Sequence, residues 1–455
     1  MVRAPSRTLV PLVFIAAAGC GAPTPARDAP TVATAAAPAP WSDAWLIDQA
    51  HRYLEDPAHR RRALEASLTN PENHYSSQRL SAYGLGDRGW DLLPEWNPRS
   101  LPVDAALVDS WSKGQSSAVA DAPALWDGRT PSDVAGWAAL GRAVFFDYPL
   151  RPEPAIERAL AARRSLAAYG VTADADGVWI GARAFLDVDG RVRVGITCAL
   201  CHAAIEDGAT IAGAARRSFD YGALLADYHD ASGDPVDPEL RARMVTWGPG
   251  RADITEDEAQ DPVAIPDLWD LRSLSTLTQA GTVTHAGPAA LAIRQETQII
   301  HAGHERARPP RALAFALAVY LYQLTPPPRA AATRSDATDR GAALFARRCQ
   351  RCHRDAAHSG PLVPASTVGT DPALADGAAR GTGRYRPAPL VRVADAAPYL
   401  HDGSVATLEA LLEDDRLEPD YPGGARGPGP VPGHSYGLEL GDDERAALLA
   451  YLRTL

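Results

Sequence analysis

Polar and apolar positions follow a mostly helical rhythm along this chain. The sequence opens on an apolar run of about ten residues, Leu9 to Ala18. From Ser42 to about Ser67 the spacing predicts one helix, whereas the rest of 41–131, rich in Trp, Pro, Asn and Gly, predicts irregular chain. Helical periodicity returns at Gly141 to Phe145, at Gln295 to Ile300, over Arg311 to Leu324, through Gly341 to Phe345 toward Cys349, and over the closing Asp442 to Leu455. Between Trp179 and Val194 apolar and polar residues alternate, broken at Asp189-Gly190, which predicts a small hairpin. Thr325-Pro326-Pro327-Pro328 ends the helix before it and starts a linker, 325–339.

Length and charge narrow the class. The 455 residues, 46% hydrophobic and 22% charged, suit two or three soluble domains. A formal charge of −11 argues against a nucleic-acid surface. Arg3 and Arg7 precede the first apolar run, and Ala17-Ala18-Gly19 sets small residues before Cys20. This pattern reads as an export signal over 1–19, of lipoprotein type, with Cys20 as the lipidated residue. An ordinary secretory signal cut nearby is the alternative. The Ala-, Pro- and Thr-rich stretch that follows reads as a flexible tether, 20–40. The expectation is a protein of the periplasm or cell surface, held to the membrane by its N-terminal lipid.

Four of the five cysteines fall in two motifs, Cys198-Ala-Leu-Cys201-His202 and Cys349-Gln-Arg-Cys352-His353. Two thiols one helical turn apart reach the two vinyl groups of one porphyrin, and the adjacent histidine binds its iron. A four-cysteine zinc site or two dithiol redox pairs compete, yet neither needs a histidine after each pair. Two covalently bound haem c groups follow, with His202 and His353 as proximal iron ligands. The chain also repeats around the motifs: Gly141 to Phe145 answers Gly341 to Phe345, and Ala318-Val319-Tyr320-Leu321 answers Ala450-Tyr451-Leu452. Cytochrome c domains cross such first and last helices, a glycine on one admitting an aromatic from the other. Gly341 precedes Cys349 by 8 residues and Gly141 precedes Cys198 by 57, so the first copy carries an insertion. The predicted fold is mainly α: two cytochrome c-type haem domains, 132–324 and 340–455, with an irregular N-terminal extension, 41–131, and the small hairpin inside the insertion.

The sixth position of each iron decides what the haems can do. Two strong protein ligands make an electron carrier, while an open position binds a small oxidant. Only Met1 and Met244 exist, so no methionine can serve the second haem from its own domain. Histidines after His353 are His358, His401 and His434. Met244 follows His202 by 42 residues, a spacing that allows ligation or plain core packing.

Tyr385-Arg386-Pro387-Ala388-Pro389-Leu390-Val391-Arg392-Val393, then Ala397-Pro398-Tyr399-Leu400-His401-Asp402-Gly403-Ser404, resemble the second haem domain of bacterial di-haem cytochrome c peroxidases. Gly433-His434-Ser435-Tyr436-Gly437 and Trp247 to Asp253 are similar to the rubber-oxygenase branch of those enzymes. That branch implies His434 as the distal ligand of the second haem. It also implies a peroxidase- or oxygenase-like oxidoreductase, a small oxidant such as peroxide or dioxygen, and a periplasmic redox donor protein. A non-catalytic electron-transfer cytochrome is the alternative. His401 is expected to hold a loop against the porphyrin edge. The stretch His285 to His301 matches no motif, yet it holds His285, Arg294 and Glu296, residue types that can move a proton between peroxide oxygens and assist the leaving one. These three are the candidate catalytic residues, against a reading as ion pairs on a solvated helix. His301 and His304 are alternative sixth ligands.

Overall fold

The computed structural model describes residues 38–455, apart from 114–116, 234–235, 254, 256–260, 286, 329–333 and 425. The export signal and Cys20 lie outside the described residues.

Instead of one helix over 42–67 there are two, α1 (Asp43–Glu55) and α2 (Pro57–Ser67). Asp56 between them is extended, because Pro57 has no N–H to donate and crowds the residue before it out of the helical region. A third helix, α3 (His74–Ala82), starts where Asn73 accepts from the Ser76 N–H at 2.9 Å. The N-terminal extension is therefore not irregular. Ala50, Tyr53, Leu64, Tyr83 and Trp90 are buried in one core with residues from the middle of the chain. A three-residue strand, β1 (Ser100–Pro102), and helix α4 (Ala105–Ser112) complete it.

Helix α5 (Val134–Asp147), capped by Asp133, opens the next region. After β2 (Arg151–Pro152) and α6 (Pro154–Ala161) comes the expected hairpin, as β3 (Ala182–Leu186) and β4 (Val192–Ile196). It is part of a larger antiparallel sheet of order β1-β3-β4-β2, so the extension supplies one edge and the chain just after α5 the other. Ile156, Leu166, Val171, Ala184, Val194 and Phe219 fill a second core beneath this sheet. Strand β4 delivers the chain to Cys198, and a hairpin of β5 (Ala203–Glu206) and β6 (Ala209–Ala212) leaves from His202.

Helices α7 (Tyr221–Ser232) and α8 (Pro238–Trp247) pack closely at Gly222, where a Cβ would lie 2.0 Å from the Met244 carbonyl oxygen. Met244 is a buried residue of this helix pair. Next come α9 (Pro288–Ala302) and α10 (Arg311–Leu321), the latter almost wholly buried. Helix α11 (Asp336–Arg348) begins with a capping box of Ser335 and Thr338 and takes residues 336–339 from the expected linker. The last helix is α12 (Asp442–Leu452).

The sequence repeat is a repeat of packing. A Cβ on Gly141 of α5 would lie 2.0 Å from the Ala316 carbonyl oxygen and 2.6 Å from the Tyr320 Cβ of α10. On Gly341 of α11 it would lie 2.0 Å from the Ala447 oxygen and 2.7 Å from the Tyr451 Cβ of α12. Phe145 meets Tyr320 at 5.6 Å between ring centroids, and Phe345 meets Tyr451 at 5.4 Å. Each pair crosses backbone against backbone where only glycine fits, and an aromatic pair seals the crossing.

One strap joins three parts of the chain. Thr69 bonds Gly281 and Thr282, the Asn70 and Asn73 amides both donate to the Gly381 carbonyl, and the His74 and Tyr75 N–H groups donate to Ala378 and Ala379.

Candidate haem sites

Helix α11 runs straight into the second motif, the Cys349 N–H still donating to the Phe345 carbonyl. The Cys352 and His353 N–H groups both turn back to the Cys349 carbonyl at 3.1 Å, so one tight turn gathers the two thiols and the imidazole. They line a cavity of about 250 Å³ together with Tyr385, Arg386, His401 and His434.

The His353 Nδ1 sits 2.7 Å from the His358 carbonyl oxygen. A carbonyl only accepts, so Nδ1 carries the proton and Nε2 keeps its lone pair. Burial lowers the His353 pKa, which keeps the ring neutral. On His434, burial first and then the nearness of His353 push the pKa down to about 4. Its Nδ1 is buried without a hydrogen-bond partner among the described residues.

The loop that carries His434 is pinned in an uncommon shape. Gly433 has φ +83° and His434 φ +42°, and a Cβ on Gly433 would meet the Thr370 nitrogen at 2.2 Å. Fully buried Arg416 binds the carbonyls of Val431, Gly433 (2.7 Å) and His434 (3.1 Å), while the His434 N–H donates to Val368.

Arg386 is the other polar group of note in the cavity. Its Nε donates to the Thr278 carbonyl at 3.1 Å, but its Nη1 is buried without a hydrogen-bond partner among the described residues. Two free thiols, two neutral imidazoles and a buried guanidinium with a spare donor match what haem requires: thioether anchors, axial nitrogens and a partner for a propionate. His401 stacks on Tyr385, ring centroids 4.3 Å apart. Since the Tyr385 hydroxyl gives its one proton to the Asp371 carbonyl at 2.6 Å, the His401 Nε2 donates to that hydroxyl at 3.1 Å. The His401 carbonyl also accepts from the Ala264 N–H, so this residue fastens a loop at the cavity wall.

At the first motif His202 repeats the pattern of His353. Its Nδ1 lies 3.0 Å from the Pro266 carbonyl oxygen, leaving Nε2 free, and burial holds its pKa at about 4. Burial also pushes the Cys198 thiol up to about 12 and those of Cys201 and Cys349 to about 11. Thiols held this far up are unlike the activated thiolates of a redox pair. Among the described residues no group of three or more His, Cys, Asp or Glu is placed to hold a metal ion, so the two cysteine pairs do not assemble a zinc site. Free thiols one turn apart beside a neutral imidazole fit haem here as well.

His285, Arg294 and Glu296 do not converge. Positions two apart on a helix face different ways, and Glu296 faces into the core. It is fully buried, accepts from the Tyr53 and Tyr83 hydroxyls at 2.5 and 2.6 Å, and lies 3.5 Å from Arg311. This is a structural knot between the extension and α9, which corrects the expectation of a distal acid. His285 packs against Tyr322, its Nδ1 3.3 Å from the hydroxyl. Arg294 alone of the three acts electrostatically on Cys198 and His202. His301 lies 3.8 Å from Glu305, and His304 is exposed in the turn after α9. Sequence reasoning missed the Pro266 and His358 carbonyls, Arg416 and Arg386. For the carbonyls no side-chain signal existed, whereas Arg386 stood unused within the quoted motif.

The two sites share a wall. Pro266, whose carbonyl accepts the hydrogen bond from the His202 Nδ1–H, lines the cavity of the second site with Asp267 and Trp269.

Residues 338–455 match the cytochrome c family. This segment is a cytochrome c domain, built for covalently bound haem c. A solved MauG-like protein associated with microbial copper homeostasis is 21% identical, covering 46% of this chain and 78% of its own, with a TM-score of 0.32. Hydrazine synthase of Kuenenia stuttgartiensis is 16% identical, covering 44% and 75%, with a TM-score of 0.30. No curated protein sequence matches the chain.

Proposed function

We propose that the chain is a di-haem c-type cytochrome oxidoreductase in which the C-terminal haem passes electrons and the first haem meets a small oxidant, peroxide or dioxygen. The observation that carries this reading is the asymmetry of the two sites. The C-terminal cavity is lined by two imidazoles, His353 and His434, whereas the bond seen at the His202 ring is the one to the Pro266 carbonyl. Haem bound in these sites would supply one-electron chemistry and, at an unfilled position, an oxidant-binding site.

The chain's own part is to fix both imidazoles in one tautomer through the carbonyls of His358 and Pro266. It also keeps both rings neutral by burial and sets Pro266, whose carbonyl bonds His202, in the lining of the second cavity. Trp269 adds an aromatic ring to that lining. The resemblance to di-haem peroxidases and to rubber oxygenases agrees with this division. The proposal extends to a lipid anchor at Cys20, a periplasmic location and a redox donor protein as partner.

Replacing His434 by Ala tests it. The ferric spectrum of the C-terminal haem should turn from low-spin to high-spin, while the first haem is high-spin or responds to peroxide and carbon monoxide in the unaltered protein. Two low-spin haems indifferent to both reagents would reduce the chain to an electron carrier.

A further inference from the structure

Strand β4 ends at Ile196, and the first cysteine motif follows it as a single turn with no helix leading in. Arg216, in the loop between β6 and α7, holds that turn from the side and is 1% exposed. Its Nε donates to the Leu200 carbonyl at 2.6 Å, and its Nη2 donates to the Ala199 and Ile180 carbonyls, each at 3.2 Å. Nη1 donates to the Thr172 hydroxyl. The Arg216 backbone N–H completes the grip by donating to the Cys201 carbonyl at 2.8 Å. Three of these five acceptors, on Ala199, Leu200 and Cys201, belong to the motif itself.

The charge on this group meets no carboxylate among the described residues. Arg217 beside it pairs with Asp267 at 2.7 Å and Arg151 pairs with Glu153 at 3.2 Å, whereas the side-chain partners of Arg216 are three carbonyls and a hydroxyl. Burial lowers its pKa only to about 10, so the guanidinium keeps its proton at neutral pH. Carbonyl dipoles satisfy its hydrogen bonds without cancelling its charge, and a charge inside the protein is screened far less than one in water.

We propose that Arg216 is the fixed charge that sets the reduction potential of the haem bound through Cys198, Cys201 and His202, holding it toward the ferrous form. This rests on the two-haem reading and deepens it by naming the residue that governs how readily the first haem accepts an electron. Ferric haem carries one positive charge more than ferrous haem, so a buried cation bonded to the attachment turn disfavours the ferric state. The step is the transfer of one electron to ferric iron, from the donor protein or from dithionite in the assay, and no bond forms or breaks.

Potentiometric titration of the holoprotein, followed optically, gives one transition per haem, and His434→Ala marks that of the C-terminal haem by moving it. Arg216→Met should lower the other transition by about 59 mV or more, which is about a tenfold change in the ferrous-to-ferric ratio, while Arg216→Lys should stay closer to the unaltered protein. Thr172→Asp sets a carboxylate against the same guanidinium and should lower that transition likewise, whereas Thr172→Asn should leave it in place. The Thr172 pair keeps Arg216 and decides the question even where an Arg216 variant fails to fold. An unchanged first-haem potential in Thr172→Asp, or an equal fall in Thr172→Asp and Thr172→Asn, overturns the proposal. So does an equal fall in Arg216→Lys and Arg216→Met, which would trace the effect to the shape of the turn. Mass measurement of the peptide carrying Cys198 and Cys201 separates the two levels: if no haem is attached there, the two-haem reading itself fails, and this proposal with it.

Discussion

Arg416→Met is the sharpest test of how the C-terminal cavity obtains its second imidazole. The guanidinium is fully buried and spends its donors on backbone carbonyls, those of Val431, Gly433 and His434 and, at 3.4 Å, Leu411. Each charged hydrogen bond is worth about 1.5–3 kcal/mol. Keeping an arginine out of water costs several kcal/mol in return, so methionine of similar length should lower stability by only about 2–4 kcal/mol. The loop loses more than the fold does. His434 occupies the left-handed region, which costs a residue with a side chain about 1–3 kcal/mol unless its surroundings impose it. Without Arg416 that strain is free to relax by withdrawing the ring from the cavity.

A bias of about 3 kcal/mol shifts the ratio of loop-in to loop-out by roughly a hundredfold. Electron paramagnetic resonance of the ferric protein should therefore show a high-spin signal from the C-terminal haem in Arg416→Met, alongside an earlier urea midpoint. Arg416→Lys should rescue little, since one ammonium cannot span three carbonyls. A methionine variant with an unchanged spectrum and unchanged midpoint would refute the stapling argument.

Other substitutions probe the frame. Gly341→Ala and Gly141→Ala each drive a methyl to 2.0 Å from a carbonyl oxygen of the crossing helix, so each should lower the thermal midpoint, with a loss of about 1–3 kcal/mol or more. Equal midpoints would mean the crossings can open without loss. Glu296→Gln leaves Arg311 short of a charge and weakens both tyrosine bonds. It should destabilise by about 2–4 kcal/mol in denaturant titration and leave the haem spectrum unchanged. A spectral change without a stability loss would restore Glu296 to the haem pocket.

What the sequence disclosed was whatever chemistry fixes locally. Haem attachment demands cysteine and histidine at set intervals, and a backbone-to-backbone helix crossing demands glycine with an aromatic in register, so the motifs and both helix pairs could be read directly. The break at Pro57 was missed, since apolar periodicity ran through it and concealed the proline's effect. Arg294 and Glu296 were grouped by chemistry although their spacing sets them on different helix faces. The rest was illegible because its partners are remote: Glu296 is bound by tyrosines 243 and 213 residues away, and the tautomer of His202 depends on a backbone oxygen that any residue could supply.

The strap at Asn70 and Asn73 has a consequence for synthesis. Its amides close on a carbonyl 311 and 308 residues further along the chain. The segment can reach its final partners only after the chain through Gly381 has been made, so this part of the fold closes late. Any step that needs this part of the chain open therefore has until late in synthesis to take place before these bonds close.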